Sequence, residues 1–196
     1  MEQGFEQTAV SFLDTVLEEI QNTEQTQEIR IPEGMPDVGK ILASWGQVIL
    51  RSKEWREDTV SCSGGLMIWV LYAPEDGGRE VSLESWIPFQ MRWDIPENLP
   101  EGKIHLGLLT RFVDARSVSP RKIMVRAGVA GHVQVLCPGE AEVYRSTCSM
   151  PGIQLLNRTY PVRMNREAGE KTVSVEEVLS VPDSVSVPQE LLYYRF

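Results

Sequence analysis

Leu66-Met67-Ile68-Trp69-Val70-Leu71-Tyr72, then Ala73-Pro74-Glu75-Asp76-Gly77-Gly78, then Val81-Ser82-Leu83-Glu84-Ser85-Trp86-Ile87-Pro88-Phe89 is the stretch that decides the fold class. The first and third runs are rich in β-branched and aromatic side chains, which fit a pleated surface. The six residues between them carry Pro, Asp and two Gly, the chemistry of a hairpin loop. One antiparallel pair is therefore written locally, and the chain is read outward from it.

Upstream, the β signal starts at Trp45 and passes through Val48-Ile49-Leu50. Downstream come Lys103-Ile104-His105-Leu106-Gly107-Leu108-Leu109 and the long run Lys122 to Leu136, with Asp114-Ala115-Arg116 and Ser119-Pro120-Arg121 assigned to the turn between them. Evenly spaced strands with no long helices between them predict a mainly β fold: an antiparallel β-sandwich or a barrel-like domain with one or two short helices. One short helix is expected at Pro36-Asp37-Val38-Gly39-Lys40-Ile41-Leu42, with Pro at an early helical position and Val38, Ile41 and Leu42 on one side. Residues 5–20 place Phe5, Ala9, Phe12, Leu13, Val16, Leu17 and Ile20 at a spacing that fits a helix face, with a strand as the alternative. Thr23 to Gln27 reads as a polar turn, and Glu28-Ile29-Arg30-Ile31 as a strand that Pro32 ends. Cys137-Pro138-Gly139-Glu140 marks a change of composition and an expected domain edge. Beyond it, Tyr160-Pro161-Val162-Arg163-Met164 and Lys171 to Val178 look strand-like.

The 196 residues suffice for one ample core, and 42% apolar with 24% charged residues is ordinary for a globular protein. A net charge of −9 argues against nucleic acid as a partner, because phosphate binding calls for a basic face. The start Met1-Glu2-Gln3-Gly4-Phe5-Glu6 has no secretory-signal pattern, and no apolar stretch approaches a membrane span, so an intracellular protein is expected. Cys62, Cys137 and Cys148 are odd in number and lack ligand spacing. They read as reduced thiols in or near a core.

The segment Ile31-Pro32-Glu33 through Ile41-Leu42 recurs 150 residues later as Val181-Pro182-Asp183 through Leu191-Leu192. Together with Ile31-Pro32-Glu33-Gly34-Met35-Pro36-Asp37-Val38-Gly39-Lys40-Ile41-Leu42, the motifs Trp69-Val70-Leu71-Tyr72, Ser85-Trp86-Ile87-Pro88-Phe89, Asp114-Ala115-Arg116 and Ser119 to Arg126 resemble, in order and spacing, the SPOCS domain of sporulation proteins. That domain often occurs in tandem ahead of a LysM module, of which this chain shows no counterpart. The resemblance implies a lead-in segment (1–26), a SPOCS-like β domain (27–137) and a C-terminal segment (138–196) that resembles the start of a second repeat. Pro32, Glu33, Pro36, Asp37, Ile41 and Leu42 are then structural motif positions. The resemblance further implies a role in assembling the spore coat and cortex, in the mother-cell cytoplasm or at the spore envelope. The partners would be other envelope proteins or further copies of the chain. It implies no catalytic residues and no cofactor.

Residue chemistry points the same way. His105 and His132 sit inside strand-like runs without Cys or His at ligand spacing, so neither a metal nor acid/base work is expected of them. Ser61-Cys62-Ser63-Gly64-Gly65 lacks the nucleophile-elbow pattern and reads as a hairpin turn. Glu33 and Asp37 read as helix-capping acids rather than as a catalytic pair. Arg111, Asp114, Arg116, Arg121, Lys122 and Arg126 form the one place where a basic patch can gather, with Asp114 expected to brace Arg116 or Arg121. Arg116, Arg121 and Lys122 are accordingly candidates for docking an acidic partner, or an anionic membrane or glycan. Among five tryptophans, Trp69 is expected in the core, and Trp55, between Lys53-Glu54 and Arg56-Glu57, at a contact surface. The leading expectation is a non-catalytic scaffold module. The alternative is a β-sandwich carbohydrate-binding module for cell-wall or cortex glycans, which would carry coplanar exposed tryptophans on one sheet.

Overall fold

The computed structural model describes residues 5–147, 158, 160–178, 180 and 182. Its strands are β1 (Phe5–Arg30), β2 (Val38–Arg56), β3 (Thr59–Pro74), β4 (Val81–Asp94), β5 (Lys103–Ser119) and β6 (Lys122–Thr147). All pairings are antiparallel, giving a three-stranded sheet in the order β1-β6-β5 and another in the order β2-β3-β4. The fold is mainly β, and no helix occurs among the described residues. None of these residues therefore forms a helix long and apolar enough to cross a membrane.

The opening stretch folds as its composition dictates. In β3, Val60, Cys62, Leu66, Ile68, Val70 and Tyr72 point inward and are buried, while Trp69 and Met67 between them are only half-buried. Val125, Ala127, Val129, Val133 and Val135 of β6 alternate in the same way and share one core with them, together with Ile87, Phe89, Met91 and Trp93 of β4. Gly131 lets this core close: a Cβ there would lie 2.8 Å from the Met91 sulfur and 3.3 Å from the Trp93 ring. Among the described residues no polar or charged residue is buried in the core.

Several sequence expectations are corrected. Of the helix expected at Pro36–Leu42, Pro36-Asp37 precede the strand and Val38–Leu42 open β2, whose ladder with β3 shifts register between Val38 and Lys40 and again between Ile41 and Ala43. Each shift adds a residue to the two-residue period, so Val38 and Ile41 face the core at a spacing of three, as they would on a helix. Residues 5–20, open between helix and strand in the sequence, are strand from Phe5 on, with a register shift between Thr15 and Leu17 beside which Val16 and Leu17 both pack against the core, while Ile20 is exposed. The turn expected at Thr23–Gln27 is continuous β1, because its polar groups lie on a strand whose backbone bonds are satisfied by β6. Ser61–Gly65 lies inside β3, and the β2–β3 turn is Glu57-Asp58, with Glu57 at φ 48°. Asp114–Arg116 belongs to β5, and the β5–β6 turn shrinks to Pro120-Arg121. Tyr160–Met164 and 171–178 carry no regular structure. Strands also run across both expected segment boundaries. The 1–26 lead-in is, from Phe5 on, part of β1, and β6 passes through Cys137-Pro138, with Pro138 opposite Leu13. Of the expected second copy of the motif, only Pro182 falls among the described residues.

Candidate functional site

Three surfaces carry the candidate residues. The first is a clasp around the crossing from β1 to β2, residues 31–37. Arg121, at the tip of the β5–β6 hairpin, donates to the carbonyls of Met35 (2.7 Å), Pro32 (2.8 Å) and Ile31 (3.0 Å), and to the Asp37 carboxylate (2.9 Å). The backbone answers in kind: Ile31 N–H donates to Arg121 O, Val38 N–H to Pro120 O and Glu75 N–H to Asp37 O. The Tyr72 hydroxyl donates to Pro36 O at 3.0 Å. Burial pushes the Tyr72 phenol up, opposed by the nearby Arg121 charge and assisted by Asp37. Gly34 turns this crossing with φ 94°, a conformation glycine adopts without penalty.

This assigns the motif residues and corrects one expectation. Asp37 braces Arg121, whereas Asp114 stands opposite Arg126 on the β5–β6 ladder. Arg121 spends its planar fork on three carbonyls and a carboxylate, so it holds the fold together. Lys122 pairs with Glu28 across to β1 at 3.0 Å. Arg126 is engaged by Glu24 and lies over the Phe112 ring. Arg111 and Arg116 are the cations of the expected patch that are exposed with no hydrogen bond or ion pair among the described residues. The expected basic patch is thus mostly a set of internal braces. Glu33 is exposed on the crossing, and Leu42 is exposed while Ile41 packs against the core.

The second surface is the outer face of β2-β3-β4. Trp45 and Trp69 stand opposite each other, ring centroids 6.1 Å apart and planes 13° from parallel. Trp69 is therefore not a core residue, because the alternation of β3 gives the inside to Ile68 and Val70. Trp86 lies flat over Gly65, where a Cβ would fall 2.1 Å from its ring, and Arg51 covers its other face at 4.4 Å. Trp55 packs against the core edge and donates its indole N–H to Glu57 O, so it is less available than its charged neighbours suggested. Trp93 is the tryptophan that is fully buried.

The third is a two-stranded ribbon. Strand β5 ends its pairing at Lys103 with Leu136, whereas β1 and β6 continue together from Asp14 with Cys137 to Phe5 with Thr147. On one face of this ribbon lie Thr8, Val10 and Phe12 with Gly139, Ala141 and Val143, in line with the inward face of the core. Phe12 covers Gly139, Val143 is 44% exposed, and none of these side chains belongs to the core cluster. No sequence signal marked the ribbon, since its length depends on where β5 stops.

Among the described residues the other reactive groups lie at separate places. Cys62 and Cys137 are buried free thiols, each pushed up by that burial. Cys148 lies outside the described residues. An open depression of about 550 Å³ near the β2–β3 turn is lined by Ser52, Ser61, Ser63 and Arg92, with Ser52 and Ser63 hydroxyls 2.8 Å apart and no histidine. His132 pairs with Glu18 at 3.2 Å on the outer face of β1-β6-β5. No group of three or more His, Cys, Asp or Glu able to hold a metal ion occurs among the described residues. Compared with protein-family models, curated proteins and solved structures, the chain matches none.

Proposed function

We propose that this chain is a non-catalytic β-sandwich interaction module that engages another polypeptide through the β1/β6 ribbon, in the manner of a scaffold or adaptor. The observation that carries the reading is the ribbon itself. An isolated two-stranded ribbon is marginal in water, and among the described residues this one has a single backbone bond along its edges, Leu13 N–H to Asn165 O, besides an apolar face of Val10, Phe12, Ala141 and Val143. A strand added along either edge would satisfy those backbone groups, and a partner covering the face would extend the core. The particular setting, assembly of the spore coat and cortex, rests on the resemblance of the 31–42, 69–72, 85–89 and 114–126 motifs to the SPOCS domain.

The test is solution mass by light scattering and pull-down with spore-envelope proteins, comparing the chain with its Val10→Lys/Val143→Lys variant. These positions lie outside the core, so the variant is expected to keep its far-UV circular dichroism and lose association by at least tenfold. Unchanged association in the folded variant would reject the ribbon as the contact.

A second reading, binding of cell-wall or cortex glycan, is favoured by the Trp45–Trp69 stack alone. Trp86 offers little to it, since its two faces are taken by Gly65 and Arg51. Loss of retention on a cortex-glycan column in a Trp69→Ala variant would support that reading, and no retention of the parent chain would reject it.

A further inference from the structure

The acidic chain gathers positive charge at one end of the seam between β2 and β5. Lys53 of β2 reaches across to donate to the Ile104 carbonyl of β5 at 3.0 Å. His105 lies beside it, and Lys103 stands two residues before His105 on the same strand. Into this place runs the chain's own tail. Asn165 O accepts from Leu13 N–H at 2.7 Å, Ala168 O accepts from Lys103 Nζ at 2.7 Å, and the Glu170 carboxylate accepts from Lys53 Nζ at 2.6 and 2.7 Å. His105 Nδ1 lies 3.7 Å from the same carboxylate, and the Leu106 backbone amide is near enough to it to favour its charged form.

The side chains of this tail do not explain why it lies there. From Tyr160 to Val178 only Ala168 is more than marginally covered, and Tyr160, Val162 and Val173 are well exposed. Apolar burial is thus a small part of the attachment, which consists of two backbone carbonyls and one carboxylate. The pattern is that of an extended peptide recognised by its main chain and a single acid. Lys53 takes the Ile104 carbonyl of β5, and the Leu106 amide, two residues on, faces the same side of that strand, beside the Glu170 carboxylate.

We propose that Lys53, Lys103, His105 and the Leu106 amide form a carboxylate-recognition site for an extended acidic peptide, and that residues 165–170 of the chain itself fill it. Lys53 supplies the charge, the Leu106 amide fixes the depth at which the carboxylate sits, and Lys103 sets the register through the carbonyl two residues before the acid. Lysine and a strand-edge amide do not read the rest of the side chain, so the ligand class is a short extended segment with a glutamate. The tail touches the ribbon at the Leu13 amide alone, and neither Val10 nor Val143 belongs to this site, so the charge-removal test here and the ribbon-face variant can fail separately.

The experiment uses the full chain carrying Glu170→Gln, which keeps the shape of the tail and removes its charge. The probe is a synthetic peptide with the sequence of residues 160–174, titrated into the isotope-labelled variant. The Leu106 amide and the His105 ring signals should differ between variant and parent, and should return toward the parent position as the peptide is added. A peptide with Gln at the position of Glu170 should bind at least about tenfold more weakly, the loss expected for one charge-assisted contact. The parent chain should respond less than the variant, because its tethered tail competes at an effective concentration on the order of millimolar. Identical Leu106 signals in parent and variant, or equal binding of the Glu and Gln peptides, would overturn the proposal. Lys53→Met in the Glu170→Gln background should abolish peptide binding. Retained binding in that variant would also reject it.

Discussion

Replacing Arg121 by Ala removes four hydrogen bonds at once, three of them to carbonyls of the crossing that joins the two sheets. Hydrogen bonds from a charged donor contribute roughly 1.5–3 kcal/mol each when buried, but water can replace part of this at a half-exposed site. The Arg121 and Asp37 side chains are 40% and 49% exposed, so their ion pair adds only about 0.5 kcal/mol. The Ile31 carbonyl lies on a buried residue and is the acceptor most costly to strand. The sum is about 3 kcal/mol for Arg121→Ala, about half that for Arg121→Lys, which keeps the charge but not the fork, and about 0.5 kcal/mol for Asp37→Ala. With a urea slope of about 2 kcal/mol/M, the midpoint should fall by roughly 1.5 M, 0.8 M and 0.3 M respectively. Unfolding can be followed by the fluorescence of Trp93, which is 2% exposed. Equal shifts for Arg121→Ala and Asp37→Ala would refute the clasp, because the carbonyl bonds would then contribute nothing beyond the ion pair.

Two further outcomes follow from the geometry. Gly64→Ala places a Cβ 2.3 Å from the Ile49 carbonyl, a backbone atom that cannot swing aside, so a loss of about 2–3 kcal/mol is expected in the same assay, and a loss under about 0.5 kcal/mol would contradict the close approach. Glu170 is held below the ordinary carboxylate range chiefly by its hydrogen bond from Lys53, assisted by the charges of Lys53 and His105 and the Leu106 amide, and opposed by desolvation. A depressed value in the docked state means that docking is fully present above about pH 4.3, the value of a free glutamate, and is lost as pH falls through the depressed value. The Leu106 amide shift should therefore stay constant at neutral pH and move only below that of a free-peptide glutamate. A midpoint at the free value would show that the carboxylate is not held.

What was legible in the sequence was whatever depends on alternation alone. Leu66–Tyr72 and Val81–Phe89 pair as expected around the Pro74–Gly78 loop, because both strands keep an unbroken period of two. The helix expected at Pro36–Leu42 failed where the ladder shifts register, at Val38–Lys40 and Ile41–Ala43, since an added residue imitates helical spacing without any local chemistry to signal it, and residues 5–20, which the sequence left open between helix and strand, are strand. Trp69 was misplaced for a related reason. A continuous apolar run does not say which parity faces in, and the partners Ile68 and Val70 took the core. Arg121 was expected to dock a partner or to be braced by Asp114, whereas its acceptors are Asp37 and backbone carbonyls about 90 residues away, which no residue identity encodes. Glu170 drew no notice because its partners Lys53 and His105 are distant in sequence and an isolated glutamate in a polar tail has no pattern.

The pairing of β1 with β6 has a consequence for synthesis. Phe5 finds its partner in Thr147, and even Arg30 waits for Lys122. At roughly 5–20 residues per second, translation leaves the first strand without its neighbour for on the order of ten seconds. The β2-β3-β4 meander needs only neighbouring hairpins and can form in that interval, while its apolar underside and the 26-residue β1 stay uncovered. The nascent chain thus carries a long strand with unpaired backbone, and apolar side chains at Val10, Phe12, Leu17 and Ile29, until β6 emerges, and pairing between copies on the same message competes with folding during that interval.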